Sequence, residues 1–527
     1  MPDSPYMLRV LNFDILSEII ELLHEVKLLA PFSETCKMLR RASKPHLFRK
    51  VRILASSHLL RGELFSFTTD IWLYVRYLTI RGYWYGEPLD LSDLPLADFL
   101  ARMPSLQTIT VDEAAHMGGP GIPWDGIAAL LSPPQVREFN LKLTLHEGTP
   151  TPLDDTFTIA PLTKFSFSIW DYVEHPRAIT EEISLTEHVL KAVALSLEYL
   201  SIPLDVAPFA VMVASCWSHL RVLQLKGDLD HDPVPGIIDV LSCMPHLRHL
   251  TILRARRDDT PRPILWPDAR TNGFPCPHLA TLCLSHLDPT DAFYTHLPPT
   301  LRQLSLRCWP HHYLHQHRHD LKAMARLGWQ SQLCTAADLR SVLRRCSFDS
   351  LEDLEIEYEE DEHEERLLRS IPELFPHLTY LTIYRYRKAG SSSVRVADIA
   401  QALSPLRMLR MLRIHLDLAE APHPLADYML DSPPFIFDTY EQALCEIAHT
   451  LAVGLGPNLQ LICLFLRKRW SNLWIPFRVT RDLARSVSEI KRETDLIAVG
   501  GHALYDDMSP NTVEQVPLPE ELDLFEF

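Results

Sequence analysis

The chain has 527 residues, of which 46% are hydrophobic, and carries a formal net charge of −17 at pH 7. The apolar content is enough for a sizeable core, whereas the excess of carboxylates argues against general binding to nucleic acid, which requires lysine and arginine to neutralise phosphates. No apolar run approaches eighteen residues and the N-terminus lacks a basic stretch followed by an apolar one, so we expect neither a membrane span nor secretion. The ten cysteines are scattered without paired spacing, which is typical of reduced thiols and predicts a cytoplasmic or nuclear protein.

The first fifty residues predict three short helices. Apolar side chains in 14–23 recur at helical spacing, and Asp14 is a suitable N-cap residue. Leu28 and Leu29 open a second apolar segment, and Leu47 and Phe48 close a third. Three helices in about forty residues bury too little surface to be stable alone. We therefore expect this segment to pack against another apolar surface.

Residues 8–53 resemble an F-box, particularly the form common in large fungal families, which reads LPFD-x-L-x-E-I, then LL-x-x-S-x-T-C-K-x-L-R, and ends LFR-x-V. The matching residues are Leu11, Phe13, Asp14, Leu16, Glu18, Ile19, Leu28, Leu29, Ser33, Thr35, Cys36, Lys37, Leu39, Arg40, Leu47, Phe48 and Arg49. Asn12 departs from the pattern, because it stands where the family has a proline that fixes φ.

The resemblance implies that this segment binds the adaptor subunit of an SCF-type cullin-RING ubiquitin ligase and, through it, the cullin. The residues implied in adaptor contact are Leu11, Asn12, Ile15, Leu16, Ile19, Leu28, Leu29 and Phe32. Some of them must pack the segment itself, and the sequence does not divide the two roles. The alternative is that the helices merely cap the repeats that follow, in a protein-interaction scaffold without a role in ubiquitin transfer.

A hexamer L-x-x-L-x-L, with Val, Ile or Phe allowed, recurs thirteen times between residues 75 and 464. Its copies begin at residues 75, 106, 136, 162, 197, 220, 247, 279, 301, 351, 378, 409 and 459. Prolines and turn residues precede many copies, which marks the start of a strand. The first, fourth and sixth residues are expected to point into a core, and those between them to face outward.

Stretches between the hexamers predict the return helices, namely 182–194, 208–216, 235–243, 335–346 and 437–453. Alternation of short strands and helices predicts an α/β fold with a parallel sheet curved into a horseshoe. The pattern resembles the irregular leucine-rich-repeat solenoids that follow the F-box in many substrate receptors, although their asparagine ladder is missing. The resemblance implies that the repeats hold a target protein, which the sequence does not identify. An ordinary α/β globular fold is the alternative.

Two segments within the repeats are rich in polar residues, one in acids and one in histidines. The acidic segment 357–365 follows the LEDLEI hexamer and predicts either a solvated loop or a binding site for a basic target segment. The histidine-rich segment 310–319 holds His311 and His315 at i and i+4, but no second Cys/His pair at zinc spacing supports a metal site. We expect a polar insertion there and no metal.

Catalytic signatures are missing from the sequence: there is no phosphate-binding glycine loop, no H-E-x-x-H and no G-x-S-x-G. Gly118, Gly119 and Gly121 surround Pro120 and indicate a turn. We therefore expect a binding protein, neither an enzyme nor a carrier of a cofactor.

The predicted organisation has four parts. They are an F-box-like helical module (8–53), a repeat array (54–478), a C-terminal capping segment (479–507) and an acidic, flexible tail (508–527). Within the capping segment, residues 480–494 predict a final helix with Thr480 as its N-cap. Such a helix would shield the open end of the repeats.

Overall fold

The structure is a computed structural model. It describes residues 13–25, 28–55, 70–82, 96–112, 124–142, 158–169, 179–229, 236–257, 262–267, 273–316, 324–388, 390, 394–424, 426, 436–468, 471–481 and 487–492. These residues fall into two compact units, one ending at Leu197 and the other beginning at Glu198, here called unit 1 and unit 2. Within the described ranges no helix is long and apolar enough to cross a membrane.

Unit 1 begins with three helices: α1 (Phe13–Glu25), α2 (Leu29–Glu34) and α3 (Lys37–Leu47). Cys36 starts α3, because its backbone is extended and its Sγ accepts a hydrogen bond from the amide of Leu39. The three helices pack around one apolar cluster, made of Leu16, Ile20, Leu29 and Leu39.

Five parallel strands follow in unit 1, each paired with the next. They are β1 (Lys50–Ala55), β2 (Tyr77–Gly82), β3 (Thr108–Asp112), β4 (Glu138–Lys142) and β5 (Lys164–Ser168). The accompanying helices are α4 (Leu96–Ala101), α5 (Trp124–Leu131) and α6 (Ile179–Val193). Residues 50–53, at the end of the predicted helical module, already belong to β1, so the sheet starts there.

Unit 2 continues the alternation of strand and helix. Its strands up to the last hexamer are β6 (Tyr199–Pro203), β7 (Val222–Gly227), β8 (His249–Arg254), β9 (Arg256–Arg257), β10 (Thr281–Ser285), β11 (Gln303–Arg307), β12 (Trp329–Gln330), β13 (Cys334–Thr335), β14 (Asp353–Glu359), β15 (Tyr380–Tyr386), β16 (Met411–His415) and β17 (Leu461–Lys468). Nine of them form one parallel sheet in chain order, β6-β7-β8-β10-β11-β14-β15-β16-β17. The short β13 also pairs in parallel with β14, whereas β9 and β12 pair antiparallel outside this sheet.

The helices of unit 2 are α7 (Phe209–Ala214), α8 (Ile237–Ser242), α9 (Phe293–His296), α10 (Ala336–Arg345), α11 (Glu364–Leu374), α12 (Val396–Leu403) and α13 (Ile436–Gly454). Together with α6 of unit 1, they confirm all five predicted return helices.

The hexamers supply the core. Each of the thirteen lies on a parallel strand, and none of its first, fourth or sixth side chains is more than 6% exposed. Strand register places equivalent positions side by side, as with Leu354, Leu381 and Leu412 on neighbouring strands. Burying each such side chain contributes about 1.5–3 kcal/mol. The fold is therefore mixed α/β with a long parallel sheet, as the sequence predicts.

The helix predicted over residues 480–494 is wrong. Residues 471–492 contribute two antiparallel strands, β18 (Ser471–Arg481) and β19 (Val487–Arg492), and Thr480 lies in β18 opposite Glu489. Residues Ser471–Arg478 of β18 pair with β17 over the whole length of β17, and Ile475 and Phe477 of β18 are buried. Without β18, β17 would present an unpaired backbone edge, and satisfying that edge outweighs the helical spacing of the sequence.

Candidate functional site

Helix α1 carries two apolar stripes, about 100° apart around its axis. The inner stripe packs on α2 and α3 and consists of Leu16, Ile20 and Leu23. The outer stripe has the same i, i+4, i+7 spacing and consists of Ile15, Ile19 and Leu22. Ile15 is 47% and Leu22 61% exposed, so the outer stripe lies on the surface of the helical module.

The residues predicted to contact the adaptor fall into two groups, one buried in the core of the three helices and one at the surface. Leu16 and Leu29 belong to the core of the three helices, and Phe32 packs against that core. Ile15 and Leu28 are exposed and Ile19 is half-buried, which makes these three available to a partner. The two remaining contacts, Leu11 and Asn12, lie outside the described residues.

Sequence reasoning missed Leu22 as a contact residue. Among the large apolar side chains of the three helices whose exposure is described, Leu22 is the most exposed, and Met38 on α3 is also exposed. The signal was present in the sequence, because Leu22 follows Ile15 by seven residues, or two helical turns. The spacing alone did not tell which of two equally apolar stripes faces inward.

In unit 2 the histidine-rich and acidic segments meet, although 46 residues separate His311 from Glu357. Glu357 lies in β14 and is only 2% exposed. One of its carboxylate oxygens accepts hydrogen bonds from Nδ1 of His311 (2.7 Å) and the amide of Cys308 (2.9 Å). The other accepts from the amide of His312 (2.8 Å) and the hydroxyl of Tyr386 (3.1 Å). The predicted solvated loop is therefore wrong at Glu357, which is buried in β14, and the insertion between the two hexamers is buried at His311.

The guanidinium of Arg307 also lies beside this group, where it contacts Nε2 of His311. Burial raises the pKa of Glu357, but the positive charge of protonated His311 and the hydrogen bonds from His311, His312 and Cys308 outweigh it and lower that pKa to about 2. Each carboxylate oxygen of Glu357 already accepts two hydrogen bonds. Glu357 therefore holds the histidine-rich segment on β14, and its oxygens have no free position for a substrate.

Two more acids of the acidic segment, Glu360 and Glu364, are also engaged within the fold. Arg385, 2% exposed, contacts Glu360 through Nη2 and donates from Nε to Glu364 at 2.7 Å. Glu364 also accepts a hydrogen bond from the hydroxyl of the buried Tyr358. These acids hold β14, β15 and α11 together, which argues against a binding site for a basic target segment here.

The candidate metal ligands His311 and His315 are held by different partners. Nε2 of His315 lies 2.8 Å from the hydroxyl of Ser331, whereas His311 contacts Glu357 and Arg307. Burial lowers the pKa of His315 to about 4. Across the described ranges no group of His, Cys, Asp and Glu is arranged to hold a metal ion. His317 and His319 lie outside those ranges.

The histidines belong to a longer cover segment, defined as residues 308–316 and 324–335. At one end Trp329 donates from Nε1 to Asp228 beyond β7 (3.0 Å) and packs with Trp309. At the other end the ring of Tyr313 packs at a tilt against Phe465 of β17, with ring centroids 5.0 Å apart. The cover segment therefore lies over the outward face of the sheet. The side chain that follows each hexamer points to this face, as do Glu357 and Phe465.

A cavity of about 360 Å³ opens beside the cover segment at Tyr313. Its polar lining includes Arg387, Asp417 and Arg467, and its aromatic lining includes Phe465. Asp417 accepts hydrogen bonds from the amide of Arg387 (2.9 Å) and from Gln316 (3.0 Å). Charged groups of both signs beside aromatic rings suit a side chain or small ligand of mixed polarity. No sequence signal indicated this cavity.

No protein-family model matches the sequence, and no curated protein matches it either. Among solved structures, the chain is similar to the leucine-rich repeat-containing protein LegL7 from Legionella pneumophila. The identity is 11%, the match covers 79% of this chain and 90% of that chain, and the TM-score is 0.32. A likeness at this level carries no argument about function, so the functional argument depends on the residues described above.

Proposed function

We propose that this chain is the substrate-recognition subunit of an SCF-type cullin-RING ubiquitin ligase. In this proposal α1–α3 form an F-box that binds the adaptor and, through it, the cullin. The observation that carries the proposal is the exposed stripe of Ile15, Ile19 and Leu22, beside Leu28. An uncovered second apolar stripe on so small a module is suited to burial against a partner. The resemblance of residues 8–53 to an F-box indicates which partner.

The repeats are the proposed target-binding part. Parallel strands in chain order with buried first, fourth and sixth hexamer positions fit an irregular leucine-rich-repeat solenoid. The strand faces, the cover segment and the cavity beside Tyr313 offer a target protein varied side chains. In this proposal the chain performs no chemistry and acts in the cytoplasm or nucleus. It raises the effective concentration of the target's lysines near the ubiquitin-charged enzyme.

The test is co-purification of the full chain with the adaptor and cullin. The wild type should capture both, and an Ile15→Asp/Leu22→Asp variant should lose them, because charges on the outer stripe would be buried at the interface. The matched control is Leu195→Asp/Val453→Asp, which changes two apolar residues that are 68% and 62% exposed elsewhere. Circular dichroism and thermal unfolding should show that all three proteins are folded.

A second candidate function is a repeat scaffold in which the helices serve only as a cap. Its supporting observation is that the module is joined to the first repeat, since the amides of Arg76 and Tyr77 both donate to the carbonyl of Arg49. Absence of adaptor capture by a folded wild type would reject the ligase proposal in favour of this one. Loss of capture by the control variant as well as the stripe variant would also contradict the assigned surface.

A further inference from the structure

A row of arginines lies at the N-terminal ends of neighbouring strands in unit 2. Arg221, Arg248 and Arg302 each occupy the second position of a hexamer, with Ala280 between the last two. Backbone hydrogen bonds of 2.8 Å align them, because the amides of Arg248, Ala280 and Arg302 each donate to the carbonyl of the preceding member of the row. Neighbouring strands are about 4.8 Å apart, so the row extends over about 14 Å.

Three histidines accompany the arginines. His219, His246 and His278 each stand immediately before a hexamer, so they recur in the same register. With the arginines they line two clefts of about 230 and 600 Å³, which share Arg248 and His278. Among the described residues that line these clefts there is no carboxylate. In a chain with a net charge of −17, the two clefts form a groove of opposite sign.

The charges of this groove are largely uncompensated. Arg302 makes one long ion pair with Glu352, 3.9 Å between exposed side chains. Arg221 and Arg248 form no ion pair with any residue that the structure describes. Like charges on adjacent strands repel one another, and an anion placed over the row relieves that repulsion. The core does not require these side chains, since they are exposed.

We propose that this groove binds an acidic segment of the target protein in an extended conformation. The row matches about four extended residues, and guanidinium groups pair in fork geometry with carboxylates or phosphates. The inference rests on the proposed function, because it names the chemistry of the target. The expected target segment is therefore acidic, opposite in charge to the basic segment that the acidic segment 357–365 had suggested; Glu357, Glu360 and Glu364 of that segment form bonds within the fold.

The experiment is fluorescence anisotropy with the full chain and three labelled peptides. One peptide alternates Glu and Ser, the second carries phosphoserine, and the third replaces Glu by Gln. The two anionic peptides should bind more tightly than the Gln peptide, and their affinity should fall as salt is raised. Comparison of Glu with phosphoserine shows which anion the groove prefers.

Variants locate the binding. R221E/R248E should weaken binding of the anionic peptides by about tenfold or more. The matched control is R344E/R366E, which makes the same charge change on exposed arginines of α10 and α11 and should alter affinity by less than about twofold. Ala280→Arg fills the gap in the row and should tighten binding.

Three results would overturn the inference. They are equal binding of the Gln peptide, equal loss in the R344E/R366E control, and tighter binding of a single-stranded oligonucleotide at the same arginines. Adaptor capture provides an independent readout, because R221E/R248E leaves the outer stripe of α1 intact. Failure of peptide binding with retained capture would reject the groove and leave the ligase proposal standing.

Discussion

At the scale of single residues, Glu357 decides how the long interval between the hexamers at 301 and 351 is folded. Its two oxygens accept four hydrogen bonds, three of them from residues 308–312 of the cover segment. A buried carboxylate is tolerated only when its hydrogen-bonding capacity is filled in this way. The side chain therefore fixes the cover segment on β14.

Replacement of Glu357 by Gln should destabilise unit 2. In either orientation, the side-chain NH2 of Gln replaces one carboxylate oxygen and its hydrogens face two donors. Those donors are His312 and Tyr386 in one orientation and His311 and Cys308 in the other. Losing these charge-assisted bonds and opposing donor to donor should lower the free energy of unfolding by about 2–4 kcal/mol. Urea unfolding followed by tryptophan fluorescence measures the change.

Glu365→Gln is the matched control for that substitution. Glu365 pairs with Arg369 on the surface of α11, with both side chains more than half exposed. Its replacement should change stability by less than about 0.5 kcal/mol. An equally small effect at Glu357 would contradict the pinning role.

One buried histidine and two half-buried ones should make stability depend on pH. Burial lowers the pKa values of His286, His315 and His415 to about 4, below the ordinary histidine value of 6.5. Between pH 6.5 and 4 the unfolded chain binds protons that the folded chain does not, so the free energy of unfolding falls as pH decreases through that window. The effect of Glu357 is separate, because its lowered pKa removes stability only between about pH 4.5 and 2.

His286→Asn should remove one of these titrations. His286 has a φ of 52°, a conformation that asparagine adopts readily. The slope of unfolding free energy against pH between 4 and 6.5 should drop by about 1.4 kcal/mol per pH unit, corresponding to one proton. Urea unfolding at several pH values measures it, and an unchanged slope would show that His286 does not stay neutral in the fold.

At the scale of elements, the return helices pack closely at their ends. Gly454 is the last residue of α13, and a Cβ atom placed on it would lie 2.6 Å from Cβ of Ala400 in α12. Such a separation is too short for two methyl groups, so glycine sets the distance between α12 and α13. Similar proximity at Gly456 places a Cβ 3.0 Å from the carbonyl of Leu406.

Gly454→Ala should therefore destabilise the chain by about 1–3 kcal/mol through overpacking of α12 and α13. Ala400→Gly should cost about 1 kcal/mol by itself, because glycine lowers helix propensity. Combined, the two changes should cost less than their sum, since Ala400→Gly removes the methyl group that clashes in Gly454→Ala. Thermal unfolding of the four proteins measures this coupling, and strict additivity would contradict direct contact between the two positions.

At the scale of the whole molecule, a parallel sheet built repeat by repeat must end somewhere. β18 and β19 turn the last parallel strand into an antiparallel meander, so β17 is paired on both sides, with β16 and β18. An exposed, apolar strand edge promotes association with other chains. These strands thus serve the capping role that the sequence assigned to a helix.

Ending the chain after residue 468 should cause self-association. That truncation removes β18, leaves β17 with one unpaired edge and takes away Trp474, which packs on Phe465. Ending it after residue 507 removes only the predicted acidic tail and should leave the oligomeric state unchanged. Light scattering during size-exclusion chromatography distinguishes the two, and a monodisperse chain ending at 468 would contradict the edge argument.

The sequence by itself determined the repeat unit. Each L-x-x-L-x-L hexamer needs only the local alternation of a strand to place its apolar residues on one side, and each return helix needs only its own apolar periodicity. That is why thirteen strands and five helices follow from the pattern alone. The same local logic found the three N-terminal helices and most of the exposed contact candidates.

The tertiary structure decided which side of each element faces what. The two stripes of α1 are equally apolar, and only the positions of α2 and α3 determine that Ile15 and Leu22 remain outside. His311 and Glu357 meet because strands order distant segments side by side, which no spacing within either segment encodes. Residues 480–481 and 487–492 form strands because the open edge of β17 requires backbone partners, a long-range demand stronger than helix propensity.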